Sequence, residues 1–442
     1  MKSHVVIGNS GAGISAALAI RGVSESDEVI IISAEPCRAY SPVLETHYLA
    51  GHISYNDMFF VDEGFYRRHN LLTILGQKAE SIDIDEMRLY LETGESVCFD
   101  TLLLATGASS IVPPIRGVDG PGVFTLRTAD DVQRIDEWVS RWGLGARDSR
   151  PGDWRLLSGR AVIVGAGLIG MQAVDALVER GLAVVVVEML DHVLPLVLDS
   201  GGAVVVERAL RARDVDLRLG DSVQQIEDID GRKVISLKSG DRIEADLVIM
   251  ATGVRPNLGL AKTCGLRING GVVVDAHART SVENIFAAGD VAEGPDSIYG
   301  EHQINATWFN AIEQGRVAGL NMVGVHTRYD RNVRTNISFP LGIPLASVGL
   351  TTRRDDQQEE FVSESNGHYR KLIFDGERLV GAVLVGDVEE IGLLGAAIKN
   401  PHGLNWSKRE LVCSNGLTCF ARGFFPRSRI PLRRQESVAK PI

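Results

Sequence analysis

The sequence predicts an α/β fold: two Rossmann-like dinucleotide-binding units followed by a C-terminal α+β unit. Three observations predict it. A short apolar strand runs into a glycine-rich motif and a helix twice, at Gly8 and again 157 residues later at Gly165. Each helix leads into a second apolar strand that ends beside an acid, Glu35 in the first unit and Glu188 in the second. After about Thr327 the alternation gives way to strands and turns. Short apolar runs alternating with helices are the mark of βαβ units and a parallel sheet.

Taken in order, Val5-Val6-Ile7 enters Gly8-Asn9-Ser10-Gly11-Ala12-Gly13 and a helix through about Ile20, then a strand from Val29 to Ser33. Leu102-Leu103-Leu104-Ala105-Thr106-Gly107 follows strands that read as hairpins, and Leu247-Val248-Ile249-Met250-Ala251-Thr252-Gly253 repeats it in the second half. Trp142 to Ser158, rich in Gly, Arg and Asp, reads as a surface loop. Ala161 to Val164 enters Gly165-Ala166-Gly167-Leu168-Ile169-Gly170, a helix to about Arg180 and a strand from Ala183 to Val187. Asn284 to Asp290 reads as a strand ending in an exposed acid, and Asn305 to Met322 as a helix. Lys371 to Phe374 and Val380 to Val385 are strands around an Asp375-Gly376 turn. The expected boundaries are 1–118 with 254–326 for the first unit, 119–253 for the second and 327–442 for the third.

Composition narrows the function. The 442 residues carry 46 Lys and Arg against 57 Asp and Glu, a net charge of −11. A nucleic-acid binder needs excess cationic surface, so that class is set aside. The charge is uneven: from Pro401 to Ile442 eight basic residues face two acids, leaving −17 for the other 400 residues. Five cysteines are too few for a disulfide scaffold, which points to a reducing, cytoplasmic setting. The N-terminus shows no signal-peptide core, and no run approaches the ~18 apolar residues of a membrane span.

The second glycine motif is the more specific. Gly165 permits the strand-to-helix turn, Gly167 admits a pyrophosphate to the backbone, and Gly170 lets helix and strand pack closely. Glu188, eighteen residues after Gly170, is placed to accept hydrogen bonds from both ribose hydroxyls. A carboxylate there repels a 2′-phosphate, and Met189-Leu190-Asp191 brings no arginine, so NAD(H) is favoured over NADP(H). In the first motif Ser10 replaces the middle glycine; its small hydroxyl remains compatible with a phosphate. Glu35, twenty-two residues after Gly13, supplies the corresponding carboxylate.

The succession of Gly8–Gly13, Ala105-Thr106-Gly107, Gly165–Gly170, Ala251-Thr252-Gly253 and Ala288-Gly289-Asp290 resembles the pyridine nucleotide-disulfide oxidoreductase superfamily of two-dinucleotide-binding flavoproteins. The resemblance implies FAD on the first unit, at Gly8, Ser10, Gly11, Gly13, Glu35, Ser41, Thr106, Gly107, Asp290 and Gln314. It implies NAD(H) on the second, at Gly165, Gly167, Leu168, Ile169, Gly170, Glu188 and Gly253. Asp290 matches the acid that bonds the flavin ribityl chain, and Asn305 to Leu320 the helix whose N-terminus faces the flavin. The superfamily's reactive cysteine lies about where Pro42 to Thr46 stand, and this chain has none there. Cys37 is too early and reads as a packing residue, with only Arg38 nearby to favour a thiolate. The chain therefore resembles the branch containing FAD subunits of nitrite reductase, rubredoxin reductases and anaerobic iron–sulfur oxidoreductase complexes. There the segment Tyr40-Ser41 to Leu49-Ala50-Gly51 lies along FAD. Gln172 stands where relatives often carry glutamate near the nicotinamide. His47, Glu301 and His302 are placed near the flavin, either as plain polar lining or as proton-handling groups.

Without a thiol, electrons must leave the flavin another way. A flavin converts a two-electron hydride into single electrons, and the chain has no CxxCxxC run of its own. The expected acceptor is therefore an iron–sulfur or ferredoxin-like partner, with the basic tail and its Trp406, Phe420, Phe424 and Phe425 either docking it or simply solvated. Cys413 and Cys419 read as free thiols, and no metal site is expected. Two other readings stay open: a stand-alone NADH oxidase or peroxidase, and a flavin-bound sensor or assembly protein. A homo-oligomer is also open.

Overall fold

The computed structural model describes residues 1–144, 159–329, 332–365, 367–400 and 408–413. The first sheet has five strands, in the order Ile285–Ala287, Thr101–Leu104, Ser3–Ile7, Glu28–Ser33 and Leu72–Leu75. Every pairing in it is parallel. Parallel strands are covered on both faces, which is why they read as continuous apolar runs rather than alternating ones. Val5, Val6, Leu102 and Leu103 have no solvent exposure.

The second sheet repeats the plan, in the order Asp216–Leu219, Ala183–Glu188, Arg160–Val164, Leu247–Met250 and Val123–Thr125, again all parallel. Each half also carries a three-stranded antiparallel sheet: Ala79–Asp83, Arg88–Leu91 and Ser96–Cys98 in the first, Val223–Ile229, Arg232–Leu237 and Arg242–Ala245 in the second. Between the halves run two crossing segments. Ala108–Ser110 pairs antiparallel with Val254–Pro256, after which the chain returns to the first sheet.

The helices fall where the glycines point. The first spans Gly11–Val23 and the second Leu168–Glu179. The helix expected from Asn305 begins three residues later, at Trp308, because Thr307 is extended (φ −132°) and Asn305 is committed elsewhere, donating to Asn332 Oδ1 at 2.6 Å.

The last part is an antiparallel sheet ordered Thr335–Ser338, Leu345–Gly349, Arg378–Val385, His368–Asp375 and Gln358–Ser365, with the helix Ile391–Lys399 packed on it. The hairpin expected around Asp375-Gly376 pairs Asp375 with Arg378. The fold is the predicted one, two Rossmann-like units with a C-terminal α+β unit. Among the described residues no helix is long and apolar enough to cross a membrane. Trp142–Ser158 falls mostly, and the basic tail almost entirely, outside the described residues, as do the side chains of Cys413 and Cys419.

Candidate functional site

The first motif forms a cradle at the carboxyl end of its strand. Gly8 has φ +127°, and a Cβ there would lie 2.1 Å from the carbonyl oxygen of Ala105, so only glycine passes. The Gly8 N–H donates to Ile32 O at 2.8 Å, binding the turn to the neighbouring strand. Ser10 sits at the N-cap with φ −134°, an extended conformation open to any residue, which is why serine replaces glycine without strain. Its hydroxyl makes no capping hydrogen bond and is free for a ligand.

A second helix, Trp308–Met322, lies hard against the first. A Cβ on Gly315 would fall 2.1 Å from Ala12 O, and one on Gly319 would fall 2.4 Å from Ala16 O. The contact brings the Trp308 indole over Gly11. Gln314, expected as a FAD contact, is buried, and its Oε1 accepts the Gly289 N–H at 2.8 Å, fixing the turn that presents Asp290. Thr307 Oγ1, at this helix's N-terminus, is buried without a hydrogen-bond partner. A dinucleotide with a polar ring edge fits this set: a free hydroxyl and backbone N–H groups at one helix, and an unpaired hydroxyl at the N-terminus of the other.

Asp290 departs from expectation. It is not an exposed acid: its side chain is 17% exposed, and its Oδ2 accepts from Arg127 Nη2 at 2.7 Å. Arg127 follows the strand Val123–Thr125 of the second sheet, and its Nε donates to Ala108 O at 2.9 Å. Asp131 holds the Arg127 backbone, accepting its N–H at 3.0 Å. Arg127 was not singled out in the sequence, since it comes from the other unit and carries no motif around it. Its placement after a short strand and before an acid-rich helix start was the only available signal.

Around it the two units are stitched together. Thr106 Oγ1 donates to Asn257 O at 3.1 Å and Thr106 O accepts from Asn257 Nδ2 at 2.8 Å, while Thr252 Oγ1 donates to Ile111 O at 2.6 Å. The two Ala-Thr-Gly segments are thus one crossing, with Gly107 and Gly253 both at positive φ. Ser41 starts the turn Pro42–Leu44. Glu35 is half-buried and accepts from the Tyr40 hydroxyl at 2.9 Å, and Tyr40 in turn accepts the Ala129 N–H at 3.2 Å. Burial lifts the Glu35 carboxyl above its ordinary value, while the Tyr40 hydrogen bond pulls the other way.

The second motif forms a matching cradle. Gly165 has φ +106°, and a Cβ there would lie 2.3 Å from Ala251 O; a Cβ on Gly170 would lie 2.0 Å from Gly165 O. Gly167 is the helix N-cap, and the space above its α-carbon is open to 4 Å, the access a pyrophosphate needs. Leu168 and Ile169 open the helix behind it. Glu188 is 8% exposed and receives the Ala166 N–H at 2.7 Å and the Leu190 N–H at 2.9 Å. The carboxylate thereby shapes the glycine turn at the end of its strand. Gln172 lies half-buried on this helix.

The remaining candidates scatter. His47 is exposed, its ring 6.0 Å from that of His52. His302 and Glu301 sit in an exposed hairpin, with Glu301 paired at 2.9 Å to Arg354 of the last unit. Burial and then the Glu35 charge push the Cys37 thiol up to about 11, so it is a packing thiol rather than a nucleophile. Among the described residues no cluster of His, Cys, Asp or Glu is built to hold a metal.

Residues 2–315 match the family model described as pyridine nucleotide-disulphide oxidoreductase. The chain belongs to that family. Members are NAD(P)H-dependent flavoprotein oxidoreductases, for which bound FAD is characteristic. Residues 340–402 match a second model, the rubredoxin NAD+ reductase C-terminal domain, which places this member in the branch expected from the missing cysteine. An NADH oxidase of Methanocaldococcus jannaschii is 32% identical over 78% of this chain and 76% of its own length. The epsilon subunit of an NADH-dependent phenylglyoxylate dehydrogenase from Aromatoleum evansii is 29% identical over 89% of this chain and 91% of its own. The structure of an NAD-dependent persulfide reductase from A. fulgidus superposes with a TM-score of 0.81 at 29% identity, covering 90% of this chain and 76% of that one.

Proposed function

We propose that this family member passes electrons between NAD(H) and an iron–sulfur or ferredoxin-like partner through FAD, as the flavoprotein subunit of a larger assembly in a cytoplasmic setting. The observation that carries the reading is the pair of cradles facing one crossing segment, with no cysteine from Pro42 to Thr46 to divert the electrons. Bound FAD supplies the exchange between a two-electron hydride and single electrons. In this reading Gly8, Ser10, Gly11, Gly13, Glu35, Ser41, Thr106, Gly107 and Asp290 hold FAD, with Gln314 fixing the Asp290 turn. Gly165, Gly167, Leu168, Ile169, Gly170, Glu188 and Gly253 hold NAD(H). The proposed division is 1–118 with 254–326, 119–253 and 327–442. The match to a rubredoxin reductase C-terminal domain and the relative that is one subunit of a dehydrogenase both favour a protein acceptor.

The relative named NADH oxidase supports a second reading, direct oxidation of NADH by oxygen. One experiment separates them. FAD-loaded protein is mixed with NADH without oxygen, and an oxidised rubredoxin or ferredoxin is then added. The expected result is bleaching of the flavin absorbance and rapid recovery on adding the iron–sulfur protein. Recovery faster with oxygen than with either protein would favour the oxidase, and a flavin that NADH leaves unbleached would overturn both.

A further inference from the structure

Glu45 opens the short helix Glu45–Leu49, within the segment that follows Tyr40-Ser41. It is 3% exposed, and its Oε1 is buried with no hydrogen-bond partner. Water no longer solvates a buried carboxylate, so such a group either gains a partner or stays protonated. Among the described residues the favourable charge acting on it is Arg127, opposed by Asp131 and Glu35. Arg127 is already spoken for, ion-paired with Asp290 at 2.7 Å.

Among the described residues the neighbouring elements offer no other cation to it. From the helix Ala129–Arg141 come Asp131, which binds the Arg127 backbone, and Asp136, which pairs with Arg180 and accepts from the Tyr48 hydroxyl at 3.1 Å. From the helix Leu168–Glu179 come Asp175, which accepts the Leu341 N–H, and Glu179, which pairs with His52 at 2.6 Å. Arg180 also donates to Leu49 O at 3.1 Å, and His47 faces solvent. From the segment that follows the strand Glu28–Ser33 come Glu35 and the Tyr40 hydroxyl that bonds it.

Resting on the reading of the first cradle as the flavin site, we propose that Glu45 is a neutral carboxylic acid that holds a proton on the buried side of that site, coupled to the flavin's charge through Arg127 and Asp290. Desolvation is the main reason, and it pushes the Glu45 carboxyl up to about 8 despite Arg127. A hydride brings two electrons and one proton, so the flavin site gains one unit of negative charge. That charge competes with Glu45 for Arg127. It therefore holds the Glu45 proton more tightly when the flavin is reduced than when it is oxidised, and above pH ~8 reduction draws one proton from solvent onto the carboxylate. Glu45 is a positioning residue for charge; the hydride and the electrons do not pass through it.

The test is the pH dependence of the bound flavin's midpoint potential, set with redox mediators rather than NADH, in the wild type and in Glu45→Gln. The two curves should run together below pH ~7. Above pH ~8 the wild type should steepen by one proton per two electrons, and the variant should not. Parallel curves from pH 6 to 10 would overturn the assignment. Infrared spectra of the wild type and the variant serve as a second readout, which needs no flavin. At pH 7 the wild type should show a protonated carboxyl band that the variant lacks and that fades above pH ~8; its absence would equally overturn the assignment. A potential that steepens in a protein whose flavin NADH does not reduce would leave Glu45 standing and remove the proposed reaction.

Discussion

Glu188 and Glu45 are two carboxylates with opposite surroundings. Glu188 receives two backbone N–H groups, at 2.7 and 2.9 Å, which fix both of its oxygens. Removing it with Glu188→Ala should weaken NADH binding roughly tenfold to a hundredfold, since a hydrogen bond to a charged group is worth about 1.5–3 kcal/mol. Titrating flavin or protein fluorescence with NADH and NADPH checks this, and an unchanged preference for NADH would remove Glu188 from the ribose. Adding Met189→Arg, at a position that is 71% exposed, should turn the preference toward NADPH. Glu45 has no such donors. Its pKa in the folded chain lies above its value in the unfolded chain, so its contribution to stability is complete below about pH 4.5 and is lost as pH rises through about 8. Each pH unit in that window costs about 1.4 kcal/mol. Thermal melts of wild type and Glu45→Gln should therefore show the variant gaining relative stability from pH 5 to 9, and a constant difference would refute the shift. Glu188 was legible in the sequence because a strand end and a fixed spacing announce it. Glu45 and Arg127 were not, because burial and pairing across units leave no local pattern.

At the scale of elements, the two cradles and their helices were read from apolar strand, glycine turn and helix alone. What the pattern could not supply was the packing of one helix on another. Gly315 and Gly319 lie on the face of Trp308–Met322 that meets Ala12 and Ala16, and they allow the backbones to touch. The spacing of four residues puts both glycines on one side of the helix, yet the partner helix lies some three hundred residues earlier in the chain. Gly315→Val should force the helices apart and move Gln314 away from the Gly289 N–H, and with it the Asp290 turn. Overpacking of this kind costs about 1–3 kcal/mol or more. The expected outcome is protein that melts several degrees lower and is purified with less than half the wild-type flavin. Full flavin content with an unaltered absorbance spectrum would show that the close approach is not what orders the site.

Across the whole molecule, a buried polar cluster helps to fasten the last unit to the second. Lys371, 5% exposed, pairs with Asp199 at 2.8 Å and with Glu360 at 2.7 Å. Asp199 caps the helix Ser200–Ala212 by accepting the Gly202 N–H at 3.1 Å, and it also accepts from the Tyr369 hydroxyl at 2.6 Å. The Tyr369 ring lies over Gly201, where a Cβ would fall 2.8 Å from it, and close to Gly202, where a Cβ would fall 3.3 Å away. In the sequence Lys371 looked like one ordinary residue of a strand, because the helix cap it completes comes from a distant segment. Lys371→Met keeps the bulk of the side chain and leaves two acids facing each other in a poorly hydrated seam. Breaking one partner of a buried pair typically costs 3–5 kcal/mol, whereas Tyr369→Phe removes a single hydrogen bond worth about 1 kcal/mol. Lys371→Met should therefore loosen the last unit selectively, seen as faster amide hydrogen exchange in His368–Asp375 and Ser200–Ala212 with little change in the first sheet. Exchange that rises equally in Ser3–Ile7 would mean that the units unfold together and that the cluster is part of one cooperative core.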